Sequence, residues 1–267
     1  MKTMHVFASD LTHNARVKRY LDGSYDVLVC SAPIFKSEGW EAEADDFAPR
    51  AKRGEAAKAA NLERAQRRAR AQLRDIALCT PFTYFVTLTL DPGRIDRYSP
   101  VAVTKRLNQW LDNNVRRRGL CYVLVPELHK DGAIHFHGFF NDALPVVDSG
   151  VVDKSGHPVY NLPGWTLGFT TAIGLYGDYR AAVSYVTKYI SKSADKVGGR
   201  WYYSGGDVRR PVVELTDWPF PMEDDGSYRF TVEDAGTAFA LYHFDPDCTE
   251  YSTPAKSGEK SNCQFQD

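Results

Sequence analysis

Two histidines, His135 and His137, flank Phe136 in a segment of β-branched and aromatic residues that predicts a strand. Alternate side chains of a strand point to the same face, so both imidazoles are expected on one side of a sheet. Neutral imidazole nitrogens are common ligands of divalent metal ions. The pair therefore predicts half of a metal site, although strand histidines also serve in purely structural roles.

Glu127 stands at the end of the preceding predicted strand, and the sequence K-D-G at residues 130–132 predicts a turn between the two strands. A hairpin of this kind would bring Glu127 beside His135 and His137. One carboxylate and two imidazoles suit a hard or borderline divalent ion and leave coordination positions open for substrate oxygens. His129, in the connection, is either a further ligand or a solvent-facing residue, and its position in a turn favours the second.

A tandem Tyr-x-x-Lys pattern follows later in the chain, in a segment of strong helical character. On a helix, Tyr185 and Tyr189 lie one turn apart on one face, and so do Lys188 and Lys192. A tyrosine hydroxyl has an ordinary pKa near 10, so it needs a nearby cation to act as a nucleophile, and lysine or a metal ion supplies one. The alternative is an amphipathic helix whose tyrosines simply pack on a sheet.

The elements around these residues alternate between helical and strand patterns, with turn residues between them. Ser99 before Pro100 predicts a helix start, and Gly119 predicts its end near Arg118. The order favours an α+β fold, a ferredoxin-like antiparallel sheet with helices packed on one face. The predicted elements are a helix over 51–78, a strand over 82–90, a helix over 100–118, strands over 121–126, 134–140 and 166–173, and a helix over 178–192, with weaker strand signals before residue 30 and after residue 200.

The formal net charge of −1 conceals a strong asymmetry along the chain. Residues 50–213 carry +11, whereas residues 214–267 carry −9 and residues 1–49 carry −3. A basic region that spans the histidines and tyrosines predicts a polyanionic partner.

Basic side chains of the first helix are the natural candidates for phosphate contacts. Arg64, Arg67 and Arg68 lie mostly off the apolar stripe of this helix. A solvated helix face explains them equally well. Together with Lys192 they form the predicted DNA-binding set.

Composition along the chain divides it into regions of different character. The Gly- and Pro-rich insertion at residues 148–168 either contacts DNA or caps the sheet. The predicted regions are an N-terminal extension (1–50), a basic leader helix (51–80), a catalytic domain (81–205), an acidic C-terminal extension (206–250) and a disordered tail (251–267).

The motifs at residues 85–91 (F-V-T-L-T-L-D), 132–138 (G-A-I-H-F-H-G) and 185–189 (Y-V-T-K-Y) occur in the order found in a known family. In this respect the chain resembles the HUH endonucleases that initiate rolling-circle replication. The helix leading into the first motif is similar to that of phage and plasmid replication-associated proteins. The paired tyrosines resemble those of the two-tyrosine subgroup.

The resemblance implies a mechanism as well as a fold. It implies that His135, His137 and Glu127 hold Mg²⁺ or Mn²⁺, and that Tyr185 or Tyr189 attacks single-stranded DNA at an origin to form a 5′-phosphotyrosine. Lys188 would offset the developing negative charge. The spacing leaves open which tyrosine makes the first cut.

Other classes fit the sequence less well. A relaxase or transposase of the same chemistry is one alternative, and a non-enzymatic single-stranded nucleic-acid-binding protein that uses sheet aromatics is another. The sequence contains no G-x-x-x-x-G-K-[ST] motif, which implies that a host helicase, with a host polymerase, completes the reaction. Five widely spaced cysteines and the lack of a signal or membrane segment predict reduced thiols in the cytoplasm of a bacterial host cell, without a membrane partner.

Overall fold

A computed structural model describes residues 12–36, 55–192, 195–220, 228–232 and 237–246. Within these residues it contains three helices and fourteen strands. Its elements, in chain order, are β1 (Thr12–His13), β2 (Ala15–Arg19), β3 (Tyr25–Cys30), β4 (Phe35–Lys36), α1 (Glu55–Cys79), β5 (Tyr84–Thr89), α2 (Pro100–Arg118), β6 (Tyr122–Leu128), β7 (Ile134–Phe140), β8 (Val147–Val152), β9 (Pro158–Asn161), β10 (Thr170–Gly174), α3 (Tyr179–Lys192), β11 (Tyr203–Gly205), β12 (Val212–Thr216), β13 (Tyr228–Val232) and β14 (Thr237–Phe244).

The chain divides into two compact units, residues 53–210 and a unit made of residues 1–52 with 211–267. The sequence analysis treated the two ends as separate extensions, whereas the structure pairs them. Strands from both ends form one antiparallel sheet in the order β12-β2-β3-β14-β13. Its apolar core includes Val27, Val29 and Tyr242, and Tyr25 stacks on Phe244 at 4.5 Å between ring centroids. The predicted disordered tail at 251–267 lies outside the described residues.

The unit of residues 53–210 is built on a seven-stranded antiparallel sheet in the order β11-β6-β7-β5-β10-β9-β8. The insertion at 148–168 contributes the β8–β9 hairpin at one edge, a pairing that the sequence analysis did not predict. The predicted α+β class is confirmed.

Helices pack on both faces of this sheet, and not on one face as expected. Leu107 and Leu111 of α2 share a core with Leu88 and Phe136, whose side chains all point to the same face. Helix α3, with α1 packed beside it, covers the opposite face at the β6 side. The second face also carries His135 and His137, because these residues alternate with Phe136 along β7.

Local signals explain where α2 begins and ends. The Ser99 hydroxyl accepts a hydrogen bond from the Ala102 amide, and Pro100 occupies the first turn. Gly119 ends the helix in the left-handed conformation, with φ 71°. The predicted bounds of this helix are therefore confirmed.

None of the helices in the described part of the chain combines the length and the apolar character that crossing a membrane requires.

Candidate active site

Three neighbouring strands bring the predicted metal ligands into register. Across the β6–β7 pair, Glu127 lies directly opposite His135. Across the β5–β7 pair, Thr89 lies opposite His135 and Thr87 lies opposite His137. Residues that are directly opposite in an antiparallel pair share a face. The hairpin prediction for Glu127 and the two histidines is thus realised on one face of the sheet.

Each of the two histidines is held by a threonine of β5. Thr87 Oγ1 lies 3.1 Å from Nδ1 of His137, and Thr89 Oγ1 lies 3.3 Å from Nδ1 of His135. When Nδ1 carries the proton and donates it to the threonine, Nε2 keeps its lone pair for a metal ion. The two threonines were not among the predicted site residues, although the T-L-T alternation of the first motif already placed them on one face.

Burial and neighbouring charges keep His135 neutral. It is 7% exposed, and the ring of His129 stacks on it at 3.8 Å between centroids. Burial first, and then the positive charges of His129 and His137, lower the pKa of His135 to about 4. A neutral imidazole near pH 7 is the form that binds metal ions. His129 itself is exposed, as expected for a turn residue.

Glu127 joins the histidines to α3. Its Oε2 lies 2.9 Å from Nε2 of His137, and its Oε1 lies 3.8 Å from Nζ of Lys192. Burial alone would raise the pKa of this carboxyl, but the contact with His137 and the charge of Lys192 outweigh burial and lower it. The carboxylate is therefore ionised at neutral pH and able to serve as a ligand.

Metal binding was tested against the donor atoms that are present. Among the described residues, no group of three or more His, Cys, Asp or Glu side chains is already gathered in a metal-binding arrangement. The buried Nε2 of His137 nevertheless has no hydrogen-bond partner, although the Glu127 oxygen is 2.9 Å away. The contact thus has the distance of a hydrogen bond without its direction, and an unsatisfied buried nitrogen facing a carboxylate fits a shared cation. The set of His135, His137 and Glu127 suits a divalent ion by donor type.

The two tyrosines of α3 meet this site in different ways. Tyr189 is buried, with 4% exposure, and its ring stacks on His137 at 4.4 Å and 8° between planes. Tyr185 is half-buried and meets the edge of Phe85 at 6.0 Å. The two hydroxyl oxygens are 2.6 Å apart and hydrogen-bonded. The tyrosines and the histidines therefore belong to one cluster.

The predicted basic residues are distributed more widely. Lys192 lies at Glu127 and over the ring of Tyr189, 5.1 Å from its centroid, while Lys188 is exposed on α3. The three arginines of α1 are exposed, as expected for either a solvated face or a phosphate-binding face. Arg64 and Arg68 carry no ion pair that the structure describes, and Arg67 pairs with Glu63 at 3.5 Å.

Gly138 allows the two-histidine strand to approach β6. A Cβ at this position would lie 1.9 Å from the carbonyl oxygen of Val123. Only glycine fits so close to a backbone oxygen. The glycine after the second histidine is therefore part of what sets the register of the site.

Comparison with known proteins gives one match. Residues 83–194 match the family model for the replication-associated protein ORF2. The match spans the sheet strands, the two histidines and both tyrosines, and it supports a role in replication initiation. Searches of curated proteins and of solved structures gave no significant match. The assignment to the HUH class and to its two-tyrosine subgroup stays a prediction.

Proposed function

We propose that this chain initiates rolling-circle replication by nicking and religating single-stranded DNA at an origin, through a 5′-phosphotyrosine intermediate. The observation that carries the proposal is the contact of the tyrosine pair with His137, within one cluster that also contains Glu127 and His135. A nucleophile pair beside metal-binding donors is the arrangement that phosphoryl transfer needs. The family match at residues 83–194 supports the same role.

Tyr185 is the better candidate for the first nucleophile. Its ring is half-buried, whereas Tyr189 is buried against His137. The hydroxyl of Tyr189, 2.6 Å away, is placed to donate a hydrogen bond to the Tyr185 oxygen. Such a bond stabilises the negative charge that develops on a tyrosine oxygen as it loses its proton.

The reaction breaks one bond and forms one bond at phosphorus. The Tyr185 oxygen bonds to phosphorus, the bond from phosphorus to O3′ breaks, and O3′ takes up the proton that the tyrosine loses. The free 3′-hydroxyl then primes synthesis, and its later attack on the phosphotyrosine religates the strand. Mg²⁺ or Mn²⁺ held by His135, His137 and Glu127 would polarise the scissile phosphate.

The lysines of α3 have separate tasks in this mechanism. Lys192 holds the ionised Glu127 in place and covers the face of Tyr189. Lys188, which is exposed, is free to offset charge on the phosphate as the bond to O3′ lengthens. A host helicase and a host polymerase would supply unwinding and synthesis.

The test is a covalent-adduct assay with labelled single-stranded oligonucleotides tiled across the DNA that encodes the chain, with and without Mn²⁺. We expect a metal-dependent adduct whose yield falls strongly in Tyr185→Phe and less in Tyr189→Phe. Tyr25→Phe, which keeps the stack on Phe244 in the other unit, is the matched control.

Three outcomes would contradict parts of the proposal. An adduct that survives in the double variant Tyr185→Phe, Tyr189→Phe would show that other residues are the nucleophiles. Full activity after His135→Ala with His137→Ala would remove the metal site. Binding of the oligonucleotides without any adduct would favour the non-enzymatic interpretation.

A further inference from the structure

Phe169 is a large apolar side chain that is 70% exposed. Residues 169 and 89 exchange both backbone hydrogen bonds, at 2.9 and 3.1 Å, so Phe169 lies directly opposite Thr89. Thr89 in turn lies opposite His135, and His135 opposite Glu127. The four residues therefore form one row across the sheet, on the face that carries the tyrosines.

The position of Phe169 is fixed although its ring is exposed. The Trp165 indole N–H donates to the Thr89 carbonyl at 3.1 Å, and the Asp91 amide donates to the Leu167 carbonyl at 2.9 Å. A Cβ on Gly168 would lie 2.2 Å from the Thr89 oxygen, so the backbone there is held close to β5. An exposed ring on an ordered backbone loses little freedom when it binds a partner.

The distance to the site suits a neighbouring nucleotide. Adjacent strands are about 4.8 Å apart, so Phe169, two strands from His135, stands roughly 10 Å from it along the row. Thr171, on the same face and one step along β10, is also exposed, so the sheet beside Phe169 is open. The surface is continuous with the cluster of His137 and Tyr189.

We propose that Phe169 stacks on a base of the single-stranded DNA next to the scissile phosphate. The inference rests on the proposed function, because single-stranded DNA is the occupant that the adjoining nucleophiles require. Aromatic side chains stack on any base, since every base has a π-face. Phe169 is therefore a positioning residue that holds the strand in place beside Tyr185.

The experiment compares two labelled DNAs by fluorescence anisotropy in the absence of divalent metal. One is a randomised single strand of about 20 nucleotides, longer than common single-strand site sizes, and the other is an abasic strand of equal length. We expect Phe169→Ala to weaken binding of the first DNA about tenfold, the order expected for loss of one stacking contact. Binding of the abasic strand should not change, because it has no base to stack.

Two variants complete the design. Phe169→Trp should restore or exceed wild-type affinity, since indole also stacks. Val101→Ala removes another exposed apolar side chain, 79% exposed on the helix that packs against the opposite face, and should leave both affinities unchanged.

Equal affinity of wild type and Phe169→Ala for the randomised strand overturns the inference, and so does an equal loss on both DNAs. A Phe169→Ala change in sedimentation instead of in DNA affinity would assign the surface to a second copy of the chain. The adduct assay is scored separately. An adduct with no base-dependent effect of Phe169 refutes the stacking alone, whereas base-dependent binding without an adduct refutes the nicking function alone.

Discussion

Replacing Thr87 with valine tests whether the threonines orient the histidines for metal binding. Valine keeps the shape of threonine but removes the hydroxyl that lies 3.1 Å from Nδ1 of His137. The imidazole then loses the partner that fixes its proton on Nδ1 and its lone pair on Nε2. We expect weaker Mn²⁺ binding with an unchanged fold.

The expected magnitude follows from the role of the lost bond. Removing a partner that orients a metal-bound histidine lowers metal affinity about 10- to 100-fold. At about 1.4 kcal/mol for each factor of ten, this corresponds to roughly 1.4 to 2.8 kcal/mol. The loss exceeds that of an average net hydrogen bond, about 1 kcal/mol, because the cation polarises the imidazole and strengthens the bond that Nδ1 makes.

The assay is a calorimetric Mn²⁺ titration of the wild type, Thr87→Val and Thr171→Val. Thr171 pairs with Thr87 across β10 and β5 and is exposed, one strand further from His137, so its variant is the matched control. Thermal unfolding of each variant without metal checks that the fold is retained. Equal Mn²⁺ affinities for the two variants would refute the orienting role of Thr87.

Three further predictions concern stability. Between pH 6.5 and about 4 an unfolded His135 takes up a proton that the buried one refuses, so the unit of residues 53–210 should lose stability as pH falls through this window, and His135→Gln should flatten the slope in denaturant titrations with a chelator. Gly138→Ala should lower stability by about 1–3 kcal/mol or more through the clash with the backbone of β6, whereas Gly164→Ala, with open space around its Cβ, should stay within about 0.5 kcal/mol; equal melting temperatures would contradict this. Asp26→Ala removes 2.7 Å contacts from the Tyr20 hydroxyl and from Nδ1 of His243, so hydrogen exchange in β3 and β14 should speed up by an amount corresponding to about 2–3 kcal/mol, and unchanged protection would refute the importance of this buried group.

Elements with strong local signals could be predicted from the sequence. Ser99, Pro100 and Gly119 act within one turn of the helix ends, so their chemistry alone gives the bounds of α2. The Glu127 contact was predictable for a related reason, because a short hairpin fixes which residues lie opposite each other.

Pairings between distant segments could not be predicted. His243 contacts Asp26 across 217 residues, and β14 pairs with β3 to join the two ends of the chain in one sheet. Nothing in either segment alone specifies such a partner, because alternation tells which face is buried but not which strand lies next to it. The β8–β9 hairpin escaped prediction because its strand pattern is interrupted by glycine and proline.

The side-chain contacts at the site were only partly predictable. The sequence placed Tyr185 and Tyr189 on one helix face, but their unequal burial depends on how α3 packs on the sheet. Phe169 offered an aromatic residue in a strand pattern, which is usually a core signal. Its exposure follows from the absence of a covering helix on that part of the sheet, which is a property of the tertiary structure.

The stack of Tyr189 on His137 makes the metal ligands and the nucleophiles one packed unit. Thr87 holds one edge of His137, the ring face of His137 meets Tyr189, and the Tyr189 hydroxyl reaches Tyr185. Close-packed interiors transmit displacement, so a turn of the His137 ring should also move the tyrosines. The effects of Thr87→Val and Tyr189→Phe on the rate of adduct formation should therefore not add, with a coupling of about 0.5–3 kcal/mol in a double-mutant cycle. Additive losses would mean that metal binding and nucleophile positioning are independent, and that the stack on His137 serves only to pack α3 on the sheet.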